Sequence, residues 1–549
     1  MVFDVGGDEG ASETADVGIK QVAGVIEKFG DDLASGCVGG YVAVQEGIGA
    51  GPVALADVTF GRWRVQPGRP LLVEGSGRDC QAKSMVVGYF WSHPVELSRW
   101  EAEISVSDDV VVIVPGITGS VLARGQRELW NLSAAALRRG VLHTNEVLDE
   151  LRLPAVHGDP EEYAGLALIA PEVIRGFHVW PGFWHGSGYG TLIDRLTKAV
   201  PGRVLTFAYD WRLPNAYTAT RLQHFVADVL NRFPGSRITF VCHSMGGLIT
   251  RYYLEVLGGH VHAARLITIG TPFSGSVKAV KALTGGLYPR IAGLGERVAH
   301  VARTFPSVAE LLPTYRCVDT GPNSEPVGLT DIEIPGLPGE TVLRGRGFHD
   351  ELNAAVARNN TGGGASYALH VFAGKLQATD QSITVDGAGL GFHRSQRGID
   401  QAGDGTVASF SAMPPEWERD EHALFRAAKH GPLTKHRDLL GDVIAKATAR
   451  ELGAILAPLD ELSLHLPEAT TAGEPVDLVV TSESANLRLQ ATVLDADDHP
   501  HDTHIPVRPD DSGRRYRTAL TLPPGLWQVR VKEVGDPPRA FIEDLITAL

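Results

Sequence analysis

The sequence predicts an α/β fold built on a mainly parallel sheet, with a small β-rich module before it and a β-sandwich after it. Three observations carry this. Short, continuous apolar runs recur through the middle of the chain: VVVIVP (110–115), RVLTFAY (203–209), RITFVC (237–242), RLITIG (265–270) and YALHVFAG (367–374). Unbroken apolar runs of this length are what strands covered on both faces require. Helical patterns lie between several of them, such as TRLQHFVADVLNRF (220–233) and MGGLITRYYLEVLG (245–258). Strand–helix alternation of this kind makes parallel sheets. From about residue 459 the pattern becomes alternating apolar and polar, in LSLHL, PVDLVVT, NLRLQATVLD, RRYRTALTL and WQVRVKEV. Short strands with that alternation and turns such as PPG read as an immunoglobulin-like sandwich.

Three blocks follow: residues 1–105, 106–457 and 459–549. The first opens on an acidic tail and a predicted helix from Gly18 to Leu33, then short β-like runs separated by glycine and proline. No chemistry attaches to it, and both flanking blocks are candidates for docking an unknown protein partner. The change of pattern after Pro458 predicts a separate core for the last block.

At 549 residues the chain exceeds one ordinary core, and 43% apolar with 21% charged residues is ordinary globular composition. A formal charge of −15 argues against nucleic acid as a partner and gives no general pull toward anionic lipid. No stretch reaches the roughly 20 apolar residues of a membrane span. The N-terminus is acidic, without a basic segment leading into an apolar run, and Cys37, Cys80, Cys242 and Cys317 lack metal or disulfide spacing. A reduced cytoplasm is the expected setting.

The chemistry concentrates around RITFVCHSMGGLITR (237–251), where a strand runs into Ser244 and a helix follows at once. A serine thrust outward on such a turn is a nucleophile elbow, and small residues two before and two after it let strand and helix pass closely. Gly246 meets the second condition. Cys242 stands where glycine is commonest. Without its context the motif is as readily a helix N-cap serine.

An activated serine needs a base and a group that orients the base, in the chain order Ser, Asp or Glu, His. Asp380, Asp386, Asp400 and Asp404 are the acidic candidates, and Asp404 stands in Gly403-Asp404-Gly405-Thr406-Val407, a turn that leaves a carboxylate accessible. An Asx-turn at a loop tip is the plainer reading. Among His422, His430 and His436, position favours His430, in a loop ahead of the helical run that contains or borders on His436. His436 is expected on a solvated face. An oxyanion hole needs backbone N–H groups aimed at developing negative charge. Met245 supplies one candidate, and Pro115-Gly116-Ile117-Thr118-Gly119-Ser120 the segment for the other, although a plain strand-to-helix connection has the same spacing.

Together these segments resemble the lecithin:cholesterol acyltransferase family, which includes lysosomal phospholipase A2 and phospholipid:diacylglycerol acyltransferases. PGITGS (115–120) with ELWNL after it, WPGFWHGSGYGTLIDRL (180–196), AYDWRLP (208–214), CHSMGG (242–247), ITIGTPFSGS (267–276), GDGTV (403–407) and HGPL (430–433) occur in the family's order. The resemblance implies an α/β-hydrolase with a Ser244–Asp404–His430 triad and an oxyanion hole of the Thr118 and Met245 amides, Ile117 being the weaker donor. It also implies lid and cap segments at about 124–190 and 277–350, and architectural roles for Asp210 and Arg212.

The activity expected is therefore acyl hydrolysis or transfer on ester-linked lipids, glycerophospholipid first, through an acyl-serine, with no metal or organic cofactor. A soluble carboxylesterase or thioesterase is the alternative, and a binding scaffold on a vestigial hydrolase fold a second. Phe177, Trp180, Phe183, Trp184 and Tyr189 form an aromatic run that serves either peripheral membrane or acyl contact, or ordinary core packing.

Overall fold

A computed structural model describes residues 109–131, 149–154, 160–176, 178–180, 184–186, 188–287, 293–321, 324–361, 367–387, 389–417, 423–448, 461–485, 487–495, 498–510, 512–534 and 540–549. Ahead of these it describes two short antiparallel strands, Leu72–Val73 and Met85–Val86. The helix predicted from Gly18 to Leu33 lies outside the described residues. The chain divides into two units, Met1–Ser105 and Val106–Leu549.

The second unit is built on six parallel strands: β1 (Val110–Val114), β2 (Val204–Thr206), β3 (Ile238–His243), β4 (Ala263–Ile269), β5 (Ala368–Lys375) and β6 (Ala423–Ala427). Their order is β6-β5-β4-β3-β1-β2, every pairing parallel. All five apolar runs became strands, and the parallel α/β class expected for the central block is the one observed.

The pleat sorts the side chains onto two faces. Val111, Ile113, Val241, Ile267 and Phe372 share a core with α1 (Gly190–Ala199) and α6 (Arg437–Thr448). Val110, Val112, Val114, Phe240 and Cys242 share another with α2 (Asn215–Arg232) and α3 (Met245–Glu255). Of two further helices, α4 (Val277–Thr284) lies within the second predicted cap segment, and α5 (Gly339–Thr361) begins in it and runs past its end. Among the described residues no helix is long and apolar enough to cross a membrane.

The C-terminal block folds as eight strands: β7 (Leu462–His465), β8 (Ala469–Thr470), β9 (Pro475–Ser482), β10 (Leu489–Leu494), β11 (Pro500–Pro509), β12 (Arg515–Thr521), β13 (Gly525–Glu533) and β14 (Phe541–Ala548). Their order is β7-β9-β12-β11-β10-β13-β14-β8. Inward residues of both halves, among them Leu478, Val480, Tyr516, Val529 and Ile546, share one core. The block is not confined to that core: Ala469 is buried in the core of the middle block, and Leu549 packs against it.

Candidate active site

Ser244 sits between β3 and α3 with φ 52° and ψ −127°, a backbone conformation that an L-residue holds only when its surroundings impose it. Three bonds do so. Its N–H donates to Ile269 O at 2.9 Å, and its carbonyl accepts from Gly247 N at 3.0 Å and Thr271 Oγ1 at 2.9 Å. The glycine after Met245 is obligatory by space alone: a Cβ on Gly246 would lie 2.5 Å from the carbonyl oxygens of Val114 and Pro115. Cys242 fits the glycine-favoured position because its side chain turns into the core, where Sγ meets Thr250 Oγ1 at 3.2 Å. Burial pushes its thiol pKa up to about 12, so it stays protonated and is no rival nucleophile at neutral pH.

His430 precedes a short 3₁₀ turn, Gly431–Thr434, after β6. Its Nε2 lies 2.9 Å from Ser244 Oγ and its Nδ1 2.7 Å from Asp404 Oδ2. A carboxylate can only accept, so Nδ1 carries the proton and Nε2 is left to accept from the serine hydroxyl. Asp404 Oδ1 accepts from Thr406 N at 2.9 Å and Val407 N at 2.7 Å, while Asp404 O accepts from His430 N at 2.9 Å. These bonds fix the carboxylate plane and tie the two loops together. Gly374 makes room for them, since a Cβ there would meet Asp404 Cβ at 2.4 Å. Ser244, Asp404 and His430 are 2%, 1% and 3% exposed.

The other candidates lie elsewhere. Asp400 accepts from Gln381 Nε2 at 2.7 Å and Ala402 N at 2.8 Å, Asp380 pairs with Lys281, and Asp386 is exposed. His436 is not the solvated side chain expected. It is half-buried, caps α6 by accepting from Leu439 N at 3.3 Å, and burial lowers its pKa. His422 lies outside the described residues.

Gly116 passes so close to the serine that a Cβ there would lie 2.8 Å from Ser244 Cβ. Residues 116–119 form a turn, Gly119 N donating to Gly116 O at 3.1 Å, with Thr118 at φ 62°. Trp130 Nε1 holds the Thr118 carbonyl at 3.0 Å, and the buried Thr118 hydroxyl has no hydrogen-bond partner among the described residues. Met245 opens α3, where an amide has no intrahelical acceptor.

Two residues escaped the sequence reading. Gly116 N donates to Tyr189 Oη at 2.8 Å, and Tyr189 Oη lies 2.8 Å from His243 Nδ1. His243 Nε2 in turn lies 3.2 Å from His430 O. One hydrogen-bonded chain thus links the glycine turn, the residue before Ser244 and the backbone of His430. The only advance signal was Tyr189 standing in the aromatic run, and it is a buried core residue there. Trp180 and Trp184 are cross-strand partners in the hairpin His178–Trp180 with Trp184–Gly186, whereas Phe177 and Phe183 lie outside the described residues.

Asp210 and Arg212 form a buried two-pronged pair, Nη2–Oδ2 2.6 Å and Nε–Oδ1 2.9 Å. Arg212 also donates to Leu151 O at 2.9 Å, and Asp210 accepts from Leu168 N at 2.8 Å. The pair therefore fastens the first insertion to the body and touches none of Ser244, Asp404 or His430.

No curated protein matches the sequence. Among solved structures the chain is similar to Bacillus licheniformis lipase BlEst2 in its propeptide form, with TM-score 0.33 and 11% identity over 80% of this chain and 73% of that one. It is also similar to phospholipase PlaB from Legionella pneumophila, with TM-score 0.29 and 11% identity over 68% of this chain and 89% of that one. Over residues 188–328, which hold AYDWRLP, CHSMGG and ITIGTPFSGS, the chain matches the lecithin:cholesterol acyltransferase family.

Proposed function

We propose that the protein is a serine acyl hydrolase or acyltransferase acting on ester-linked lipids, with Ser244 as nucleophile, His430 as base and Asp404 as the group that orients it. One observation carries the reading: a single imidazole lies 2.9 Å from a serine hydroxyl and 2.7 Å from a carboxylate, with the serine on a strained strand-to-helix turn. In this reading Nε2 of His430 takes the hydroxyl proton as Oγ attacks the ester carbonyl. The Met245 and Thr118 amides receive the oxyanion, with the positive φ of Thr118 turning its segment toward the serine. The same nitrogen then protonates the leaving alcohol, and water or a second alcohol returns the serine to its free form.

A glycerophospholipid is the proposed substrate, on the strength of the family match and the ordered segments around it. Ser244→Ala tests the core of the proposal: fluorophosphonate labelling should vanish and turnover fall by roughly a thousandfold or more. Labelling that persists on another serine would move the nucleophile elsewhere. A chain-length series of nitrophenyl esters, run beside phospholipid vesicles, separates a lipid-directed enzyme from a soluble carboxylesterase or thioesterase.

A further inference from the structure

The acid and base loops are each held from outside, and by the same body. Gln377 follows β5 and is bonded on both sides. Its backbone N–H donates to Gly403 O at 2.8 Å, beside Asp404, and the segment runs parallel to Asp404 as an isolated bridge. Its side chain points the other way. Nε2 donates to Leu462 O at 3.1 Å, and Oε1 accepts from Leu464 N at 3.1 Å. β7, which holds Leu462 and Leu464, is the edge strand of the C-terminal sheet. The Gln377 amide occupies that edge as a neighbouring strand would, answering backbone groups that are otherwise costly to bury.

Lys429, the residue before His430, meets Asp544 of β14 at 2.9 Å, with the two side chains only 14% and 13% exposed. Lys278 bonds Glu468 at 2.5 Å and lies 3.4 Å from Thr406 Oγ1, and the Thr406 N–H is itself bonded to the Asp404 carboxylate. Three polar links therefore run from the C-terminal block, by way of Gln377, Lys429 and Lys278, to the segments around Asp404 and His430.

We propose that the C-terminal β module belongs to the catalytic apparatus, with Gln377 and the Lys429–Asp544 pair acting as positioning residues that hold the Asp404 and His430 loops in register with Ser244. The inference rests on the triad reading above. It follows from tolerance: a proton relay works only within a few tenths of an ångström, and a misplacement of about 1 Å costs on the order of a hundredfold in rate. Loops secured on one side by their own turns and on the other by a separate sheet meet that tolerance. Losing one anchor alters the height of the barrier more than the binding of substrate.

The full-length chain carries the test, in Asp544→Asn, Gln377→Met and Asp544→Glu, read by kcat and KM on a short-chain nitrophenyl ester, by the rate of fluorophosphonate labelling and by melting temperature. Asp544→Asn leaves the Lys429 ammonium half-buried without its counter-charge, so the chain beside His430 shifts as Lys429 seeks water. The expected result is a kcat about tenfold lower at a KM within about twofold of wild type, with labelling slowed in proportion. Asp544→Glu should recover at least half of the loss, because it keeps the charge. Gln377→Met, close in volume, should behave like Asp544→Asn. Should Gln377→Met fail to fold, the Asp544 variants decide alone. An Asp544→Asn protein with wild-type kcat and labelling rate overturns the inference, as does a loss confined to KM. If the wild-type chain labels somewhere other than Ser244, the triad reading fails first, and that result is separate from any effect of the Asp544 or Gln377 variants.

Discussion

Two clusters of buried polar residues lie in the middle block, and their difference separates the proposed chemistry from architecture. One joins Ser244, His430 and Asp404 to Tyr189 and His243 at the carboxyl ends of the strands. The other joins Glu310, Asn215 and His349: Glu310 Oε2 accepts from Asn215 N at 2.7 Å, and His349 Nε2 donates to Glu310 O at 2.9 Å. Among the described residues the second cluster leaves His349 Nδ1 and both polar atoms of the Asn215 amide without partners. Its titratable groups are also strongly shifted. Burial pushes Glu310 up to about 8 and His349 down to about 4. Perturbed groups in a protein interior often mark active sites, yet the pattern that resembles a proton relay lies in the other cluster. What distinguishes the cluster proposed to react is a serine hydroxyl, an imidazole and a carboxylate in one line, and not the depth of burial.

The comparison breaks most directly at the first cluster. His430→Ala and Asp404→Asn should each lower kcat on a soluble ester by roughly three to four orders of magnitude, while His436→Ala keeps most of the activity. The reason is geometric, since His436 caps a helix and only His430 bridges serine and carboxylate. Steady-state kinetics with circular dichroism as a folding control decides it. An inactive His436 variant beside an active His430 variant would reverse the assignment.

The second cluster should answer in stability and not in rate. Folded Glu310 keeps its proton to about pH 8, whereas the unfolded chain releases it near the ordinary glutamate value of 4.5. The unfolded state therefore binds fewer protons between those values, and stability falls as pH rises through the window. The stabilising contribution is complete below about pH 4.5 and lost by about pH 8. Glu310→Gln cannot ionise and keeps an oxygen for Asn215 N. Its stability relative to wild type should climb with pH, by on the order of 3 kcal/mol at pH 8, with kcat on a small ester little changed. Denaturant melts at pH 5 and pH 8 measure this. A variant that loses rate and not pH-dependent stability would place Glu310 with the chemistry and dissolve the contrast.

How much of this was legible beforehand follows from the kind of signal each part leaves. Strands buried on two faces must be apolar without interruption, so VVVIV and ITFVC announced themselves, as did the serine between ITFVC and MGG. The edge strand Ala423–Ala427 is half-exposed and carries Arg426, so it lacked that signature. Helix α5 holds glycines at 339, 345 and 347, which mask its period. Gly345 is needed there because a Cβ would meet Ala309 O at 2.0 Å. Asp404 and His430 could be placed by order and by turn chemistry. Tyr189, His243 and Gln377 could not, because each acts through a long-range hydrogen bond that leaves no local pattern. The pattern change after Pro458 was visible, but the polar contacts across it, made by residues such as Lys429 and Asp544, obey no period.

The smallest effect sharpens the first cluster from within. Tyr189→Phe removes one oxygen and preserves the ring, which packs edge-on against His243 with centroids 5.6 Å apart. Two partners lose their bond at once: the Gly116 N–H, whose turn passes the nucleophile, and His243 Nδ1. An unsatisfied buried N–H costs about 1–3 kcal/mol, enough for the 116–119 turn to relax toward another acceptor and carry the Thr118 amide with it. That amide is proposed to serve the oxyanion, which exists only on the reaction path, so the loss should appear in kcat and not in KM. The expected fall is about three- to tenfold, far below that for His430→Ala, because Tyr189 touches no reacting atom and Met245 still supplies the second donor. Matched kcat and KM values for wild type and Tyr189→Phe on one short-chain ester settle the point. A rise in KM at constant kcat would make Tyr189 part of the wall of the acyl site, and the chain from Gly116 to His430 would then be packing alone.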